Sequence, residues 1–583
     1  MTTLKIDESE KRQWLREDSV SGSEVLLRML LLEGVDCVFG YPGGAVLYIY
    51  DAMHGNPAFR HILTRHEQGA IHAADGYARA TGKVGVCVAT SGPGAANLLT
   101  GIATAMMDSV PLVVITGNVA TDLLGTDAFQ EADICGMAQP VTKHTYAVRH
   151  VDELAGTIRD AFYLANTGRK GPVLIDIPKD VSAAITTFRY PASEPEILGY
   201  EAKPELKLDQ AERLADAIAA AERPLLLAGA GVIHADASEE LAKLARDRQM
   251  PVTTTLLGLG GFPASDPLWL GMPGMHGTVA ANKALLACDL LIAVGARFDD
   301  RVTMRLDGFA RRATIAHIDI DAAEIGKLVP TAIAIESDAR EALRALNRML
   351  SSSAHRDSQR SGWVEELMRL KRAYPVRYQE EPDKLKPQAV IELIAALSGE
   401  DAIVTTDVGQ HQMWTALHYP FDKPRSLLTS GGLGTMGFGF PSAIGAQIGR
   451  PGAVVVSING DGGMQMCSQE LAICAIHRIP VKIAVINNGM LGMIKQWQEL
   501  VHGGRYSHIE LAGSPDFVKL AEAYGVRGFR AASIEEARQA WEAALAEPGP
   551  ALVDFVVDPD ELVYPMVPQG KALADMITGE GAV

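Results

Sequence analysis

Two apolar runs end in the residues best suited to chemistry. AVVVSIN closes on Gly460-Asp461-Gly462-Gly463, a stretch with helical character follows, and VKIAVI closes on Asn487-Asn488. If both runs are parallel strands of one right-handed βαβ unit, their ends share a sheet edge, and Asp461 and Asn488 converge there. A carboxylate and an amide oxygen suit a hard cation such as Mg²⁺, which prefers oxygen ligands and accompanies phosphates. The glycines let backbone N–H groups come close to an anion. A strand-end Asp or an Asn turn is ordinary alone; the pair at this spacing is far more specific.

The elements that must position them are legible as a repeating pattern. GVCVAT, PLVVITG, GPVLIDIP, PLLLAGAG, LLIAVGA, TIAHIDI, AIVTTD, AVVVSINGDG and VKIAVINN are nearly continuously apolar, as parallel strands covered on both faces are. The longer Ala/Leu-rich stretches between them fit crossover helices, so the fold class is α/β with parallel sheets flanked by helices. At roughly 150 residues per domain the chain holds about three or four domains. Pro- and charge-rich 189–210 and the segment 351–388, Ser-rich then Pro/Lys-rich, read as linkers. They divide the chain into 20–190, 205–345 and 385–560, with a tail over 561–583. AFYLANTGRKGPVLIDIPKD and AWEAALAEPGPALVDFVVDPD share a helix, a Gly-Pro turn and a strand ending near Asp; the unit is a common one that chance can repeat, and two related domains flanking a third is the more economical reading.

Composition narrows the function classes. Lys plus Arg number 53 and Asp plus Glu 71, a net charge of −18. That balance excludes nucleic acid and anionic membranes as main partners. None of the six cysteines forms a CxxC pair, and Cys87, Cys467 and Cys474 sit in strand or helix patterns, which implies buried thiols in a reducing cytoplasm. The charged N-terminus has no apolar core for a secretory signal, and no apolar run reaches the ~18 residues of a membrane span. Gly432-Leu433-Gly434-Thr435-Met436-Gly437 matches GxGxxG but follows no long apolar strand, so it is not read as a dinucleotide fingerprint.

The GDG…NN pair resembles the signature of thiamin-diphosphate enzymes. That resemblance implies a glutamate beside N1′ of the aminopyrimidine, and RHEQGAIHAADGYAR supplies Glu67 ahead of Ser91-Gly92-Pro93-Gly94. Without the resemblance Glu67 would be an ordinary acid at a helix start. The similarity then becomes closer. VFGYPGGAVLYIYD, TSGPGAANLLTGIA, GTDAFQE, GARFDDRV, HIDIDAAEIGK, DVGQHQMW, TSGGLGTMGFGFPSAIGA, NNGMLGMIKQWQEL and PMVPQGKAL run in order along nearly the whole chain and resemble the acetohydroxyacid synthase family.

This resemblance implies three domains, for the pyrimidine, for FAD and for the diphosphate with Mg²⁺. Gly409, Gln410, His411, Asp461, Gly462 and Gly463 are implied at the diphosphate, with Leu491, Gly492 and Met493 following. Asp461, Asn488 and the carbonyl of Met490 are implied as Mg²⁺ ligands. Gly434 and Met436 are implied at the pyrimidine, Met436 holding the cofactor bent. Arg169, Gly229, Gly231, Thr255, Leu256, Met275, His276, Gly295, Arg297, Asp299, Asp319, Ile320 and Asp338 are implied FAD contacts. Phe129, Gln130 and Lys179 are implied on the thiazolium side, Arg301 at the second ketoacid's carboxylate, and Trp497 as a wall of the acceptor pocket. Ala45, Met493 and Gln569 are implied at the entrance. The alternatives are Met436 and Trp497 as packing residues and Arg301 as an ion-pair partner of Asp299 or Asp300.

The implied reaction is decarboxylation of pyruvate and condensation with pyruvate or 2-ketobutyrate, toward valine, leucine and isoleucine, with a structural flavin. A homodimer or dimer of dimers and a small regulatory subunit are implied partners. The rivals are an FAD-dependent pyruvate oxidase and other thiamin-dependent carboligases. Trp497 and GTDAFQE favour the synthase, Glu67 disfavours glyoxylate carboligase, and RFDDR disfavours an FAD-free catabolic enzyme.

Overall fold

The computed structural model describes residues 13–351, 357–511, 513–579 and 581–582. Nine runs expected as strands are strands, and they are the covered interiors of three parallel sheets. The first sheet has six strands: Cys37–Tyr41, Arg60–Leu63, Gly85–Ala89, Leu112–Asn118, His144–Ala147 and Pro172–Pro178. Numbered in chain order as first to sixth, they lie 2-1-3-4-6-5. The third sheet also has six: Ile403–Thr406, Leu427–Thr429, Val455–Gly460, Lys482–Asn487, Arg527–Ala531 and Ala551–Val556. Numbered the same way, its order is again 2-1-3-4-6-5. The short internal similarity aligns Pro172–Pro178 with Ala551–Val556, the sixth strand of each. Between them stands a five-stranded parallel sheet of Pro224–Ala228, Val252–Thr254, Leu290–Val294, Thr314–Asp319 and Ile333–Glu336.

The two similar domains meet through corresponding helices, Glu67–Thr81 and Gly439–Gly449, each following its sheet's second strand. Their backbones touch. A Cβ at Gly76 would lie 2.0 Å from the carbonyl oxygen of Ser442, and one at Gly445 would lie 1.8 Å from that of Ala73. Only glycine permits so close a crossing. Arg79 reinforces it. Its side chain pairs with the buried carboxylates of Asp75 and Asp108 and donates to the carbonyl of Thr429 at 2.9 Å.

One linker is more than a linker. The segment expected to be irregular over 351–388 contains the helix Asp357–Ala373. Trp363 and Leu367, one turn apart, are buried in the core of the middle domain, and the Trp363 indole donates to the carbonyl of Pro224 at 3.1 Å. Apolar burial outweighs the polar composition of its other faces. The Ser-rich residues 352–356 lie outside the described residues. The linker expected over 189–210 has no regular element until its last three residues, where helix Leu208–Ala220 begins. The tail leaves the third domain beside Gln496, whose side chain bonds both backbone groups of Val563, and then lies on the middle domain, where Val567 N–H donates to Met275 O at 2.7 Å. All six cysteines are free thiols, five buried and Cys135 partly so. Among the described residues no helix is long and apolar enough to cross a membrane.

Candidate active site

At the carboxyl edge of the third sheet, strand Val455–Gly460 runs directly into helix Asp461–Cys467. Asp461 is 2% exposed, and its Oδ2 has no hydrogen-bond partner. Burial pushes its pKa up to about 6. A buried carboxylate oxygen without a partner is costly unless a cation or donor meets it. The adjacent strand delivers Asn488, whose Oδ1 accepts from Met490 N–H at 3.1 Å and whose Nδ2 lies 3.5 Å from Gln410 Oε1. Gln410 is fixed in turn by donating to Gln496 Oε1 at 3.0 Å and to the Glu561 carbonyl at 3.2 Å. A Cβ at Gly492 would lie 2.0 Å from Gln410 Oε1, so the side chain fills that space.

His411 completes the cluster. Its ring lies 3.0 Å from where a Cβ at Gly460 would stand, its Nε2 is buried without a partner, and burial lowers its pKa to about 4, so it is neutral at pH 7. Gly409 before it adopts φ +150, a value that favours glycine. Met436 and Leu491 flank Gly462 at 3.6 and 3.1 Å from its would-be Cβ. The Met490 backbone is pinned by a short bridge to Glu510, with Leu491 N–H donating to Ile509 O at 2.8 Å. Met493 is partly buried against the third domain's core.

Sequence reasoning passed over Asp407. It is fully buried and accepts from the N–H groups of Val408, Gly437 and Gly439. Its Oδ1 lies 2.5 Å from where a Cβ at Gly463 would stand. It therefore ties the loop carrying Met436 to the helix carrying Asp461. The signal was present: AIVTTD ends in an acid followed by glycine two residues on, the logic that singled out Asp461.

The carboxyl edge of the first sheet gathers a second group. Glu67 opens helix Glu67–Thr81, half-buried, and its Oε2 accepts from Asn97 Nδ2 at 3.0 Å. Gly94 closes on it, its would-be Cβ 3.2 Å from Glu67 Oε1. Gly92, at φ +60, packs against the backbone of Gln130. Gln130 is itself left-handed at φ +59, Phe129 is 88% exposed, and the Lys179 ammonium lies 6.0 Å from the centre of the Tyr48 ring. Ala45 N–H donates to Thr90 Oγ1 at 3.3 Å on the same edge. Trp497 is half-buried on helix Gly492–His502 of the third domain, and Gln569 is exposed in the tail. Among the described residues no hydrogen bond or ion pair joins the Glu67 group to the Asp461 group.

A cavity of about 610 Å³ runs along the strand ends of the middle sheet, and every position expected to contact FAD lines it. Gly229 and Gly231 stand against Gly295, which has φ +56. A Cβ at Gly229 would lie 2.0 Å from the Gly295 carbonyl oxygen, so two loops share the space of one. His276 is buried, held neutral by burial at about 4, with Nδ1 3.3 Å from the Pro565 carbonyl of the tail. Arg169 reaches in from the first domain, paired with Asp321 at 3.0 Å and Glu324 at 2.7 Å. Arg301 is exposed at the cavity wall, 3.5 Å from Asp300 and 3.3 Å from the Met275 sulfur. Asp299 instead caps the short helix Asp300–Thr303. Gly434 and Met413 close the third-domain side, so the cavity adjoins the Met436 loop.

Three family models match in order: the N-terminal TPP binding domain of thiamine pyrophosphate enzymes over 20–137, their central domain over 211–346, and their C-terminal TPP binding domain over 407–555. The acetolactate synthase large subunit of Corynebacterium glutamicum is 49% identical over 96% of this chain and 90% of its own length. That of Haemophilus influenzae is 45% identical over 96% and 98%. Acetolactate synthase 2, chloroplastic, of Nicotiana tabacum is 45% identical over 100% and 89%. The chain belongs to the acetolactate synthase family of thiamine pyrophosphate enzymes. Within this family frame the N-terminal TPP binding model covers the first four strands of the first sheet with Glu67 and Gln130, and the C-terminal one covers the third sheet from its second strand on, with Asp461, Asn488 and Met490. The central model covers the sheet that borders the cavity.

Proposed function

We propose that this chain is the catalytic subunit of an acetolactate synthase, decarboxylating pyruvate and joining the remaining two-carbon unit to pyruvate or 2-ketobutyrate. The observation that carries it is the unpartnered, buried Asp461 oxygen beside Asn488 on a chain that also presents Glu67 at the matching edge of a twin sheet. Asp461, Asn488 and the Met490 carbonyl supply three oxygens suited to Mg²⁺, which completes its shell with phosphate and water. Gly409, His411, Gly462 and Gly463 present backbone and a neutral ring to the diphosphate, and Gln410 orients Asn488. Thiamine pyrophosphate, when bound, supplies the carbon nucleophile and the electron sink. Glu67 would share a proton with the pyrimidine nitrogen, and Met436, on the loop that Asp407 ties down, would pack against the bound cofactor. FAD fits the middle cavity as a structural group, since the net reaction moves no electrons.

Glu67 and Asp461 stand on separate edges of one chain, so the reading places each active site between two chains of a homodimer. Phe129, Gln130 and Lys179 then face the reacting carbon from the Glu67 side, Trp497 walls the acceptor pocket, and Arg301 offers a guanidinium to the acceptor carboxylate. The "large subunit" naming of the relatives supports a separate small regulatory partner. The test is incubation of the holoenzyme with pyruvate, alone and with an artificial electron acceptor, assaying acetolactate and acetate. Acetolactate formation without the acceptor is the expected result. Acetate formation that requires the acceptor replaces this reading with a pyruvate oxidase.

A further inference from the structure

Glu470 is a fully buried carboxylate that no step above uses. It ends the segment that begins at Asp461, following helix Asp461–Cys467 through the turn Ser468–Glu470. At 1.5 Å per residue it stands about 14 Å along that segment from Asp461, out of reach of a metal there. Its hydrogen-bond partners lie in the other domain. Arg65 N–H is 3.1 Å from Oε1 and 3.0 Å from Oε2, and the His66 N–H contributes as well. These donors immediately precede Glu67.

Burying a charge is costly unless donors compensate it, and here they are backbone groups at the start of one helix. The fit is tight, because a Cβ at Gly69 would lie 2.4 Å from Glu470 Oε1. The carboxylate therefore sits inside the first turn of helix Glu67–Thr81, where only glycine at position 69 leaves room for it. The rest of that helix is gripped independently, at its crossing by Gly76 on Ser442 and at its end by Arg79 on Asp108 and Thr429. The first turn, from which the Glu67 side chain projects, is held by Glu470 and by the His66 ring, whose Nδ1 accepts from Gln68 N–H at 3.0 Å.

We propose that Glu470 is a positioning residue for Glu67: reaching across the domain boundary, it fixes the turn that aims the Glu67 carboxylate. This rests on the reading of Glu67 as the proton-holding group. A displacement of about 1 Å at a reacting centre costs up to roughly 10²-fold in rate. In holoenzyme loaded with thiamine pyrophosphate, Glu470→Gln sets an NH₂ against backbone donors while keeping size. Hydrogen–deuterium exchange at the cofactor's C2, followed by quench and NMR at a fixed pH near 8, where the Glu470 carboxylate is ionised, is expected to slow about 10- to 100-fold. Cofactor affinity and flavin content should be unchanged, a combination that a general loss of packing would not give. Gly69→Ala should slow exchange similarly in the native background, because its methyl displaces the carboxylate, and add nothing in a Glu470→Ala background. Glu470→Asp, which keeps the charge on a shorter arm, should recover part of the rate. The Gly69→Ala comparison decides the matter even if Glu470→Gln fails to fold. Native-rate exchange in folded Glu470→Gln, or equal Gly69→Ala losses in both backgrounds, overturns the proposal. Glu67→Gln serves as control: if that variant also exchanges at the native rate, the reading of Glu67 fails instead.

Discussion

The first and third sheets are wound alike, yet their carboxyl edges offer opposite chemistry. The likeness extends to side chains. Thr116 registers with Asp176 and Val485 with Asp554, and two residues on, Asn118 and Asn487 each donate to that aspartate, at 2.6 and 2.9 Å. The difference lies where the third strand of each sheet passes into a helix. The first sheet exits through Thr90-Ser91-Gly92-Pro93-Gly94, with no acid, and the third through Gly460-Asp461-Gly462-Gly463. One scaffold thus carries a buried, unpartnered acid at its exit, the edge proposed to take the cation and phosphate, while its twin exposes backbone turns beside Glu67. A repeated fold supplies position, and a few exit residues decide function.

The sharpest way to separate the edges is to disable each. Glu67→Gln keeps shape but cannot support the proton at the pyrimidine. C2 exchange should fall about 10²–10⁴-fold with cofactor binding largely retained. Asp461→Ala should act on binding instead, weakening Mg²⁺-dependent cofactor affinity by about 2–5 kcal/mol while flavin absorbance persists. If the edges meet between chains, mixing the two variants after subunit exchange returns about a quarter of native activity, because each mixed dimer keeps one site free of both lesions. No recovery despite demonstrated exchange would place both edges in one site of one chain.

A smaller effect is expected at Trp497, which belongs to the third domain alone. A methylene against an apolar wall is worth about 1–3 kcal/mol, or roughly 10–200-fold. Trp497→Leu should lower the preference for 2-ketobutyrate over pyruvate as acceptor while acetolactate still forms. The product ratio from competing ketoacids reads this directly, and an unchanged ratio leaves Trp497 a packing residue.

What was legible in the sequence follows the same physics. The nine apolar runs are interior strands, covered on both faces and therefore uniformly apolar. The edge strands stood out less, and His144–Ala147 and Arg527–Ala531 show why: both are paired on one side only and are largely exposed or half-exposed. Helix Asp357–Ala373 was hidden by its charged faces, with Trp363 and Leu367 buried and Val364, Met368 and Leu370 partly so on the packed side. Asp461 and Asn488 were readable because strand-end chemistry is local. Glu470 was not, because its meaning depends on a contact with Arg65 that is 405 residues distant.

That contact also has a pH signature. Burial raises the Glu470 pKa from 4.5 to about 7, opposed by Arg65, with the thiols of Cys467 and Cys474 as further neighbours. The folded state therefore holds this proton more tightly than the unfolded state. Its contribution to stability is full below about pH 4.5 and is lost as pH rises through 7. The difference between 4.5 and about 7 corresponds to about 3 kcal/mol. Relative to Glu470→Gln, the native protein should lose about that much between pH 4.5 and 7.5, measured as the change in the Tm difference. A Tm difference that is flat with pH would mean that the carboxylate is ionised in both states.

The smallest effect tests whether the twin Asn–Asp pairs are equivalent. Asp176 is buried and has Thr116 and Asn118 as side-chain partners, both neutral, at 2.7 and 2.6 Å. Asp554 is buried too, but Arg530 stands 3.0 Å from it. Asn118→Ala therefore leaves a buried carboxylate with one neutral donor, and Asn487→Ala leaves one still paired to a guanidinium. Removing a partner from a buried polar group costs about 1–3 kcal/mol; Asn118→Ala should fall near the top of that range and Asn487→Ala near the bottom, read by thermal or denaturant unfolding. Activity should rank the other way. Asn487 Oδ1 also accepts from Gly489 N–H at 3.2 Å, in the loop that presents Asn488 and Met490, whereas Asn118 Oδ1 accepts from Val119, which carries no proposed ligand. Asn487→Ala should thus raise the Mg²⁺ requirement of a nearly stable protein, and Asn118→Ala should lower stability with the Mg²⁺ requirement intact. Equal effects on both measures would mean that the two sheets differ only in their exit residues and that the struts beneath them are interchangeable.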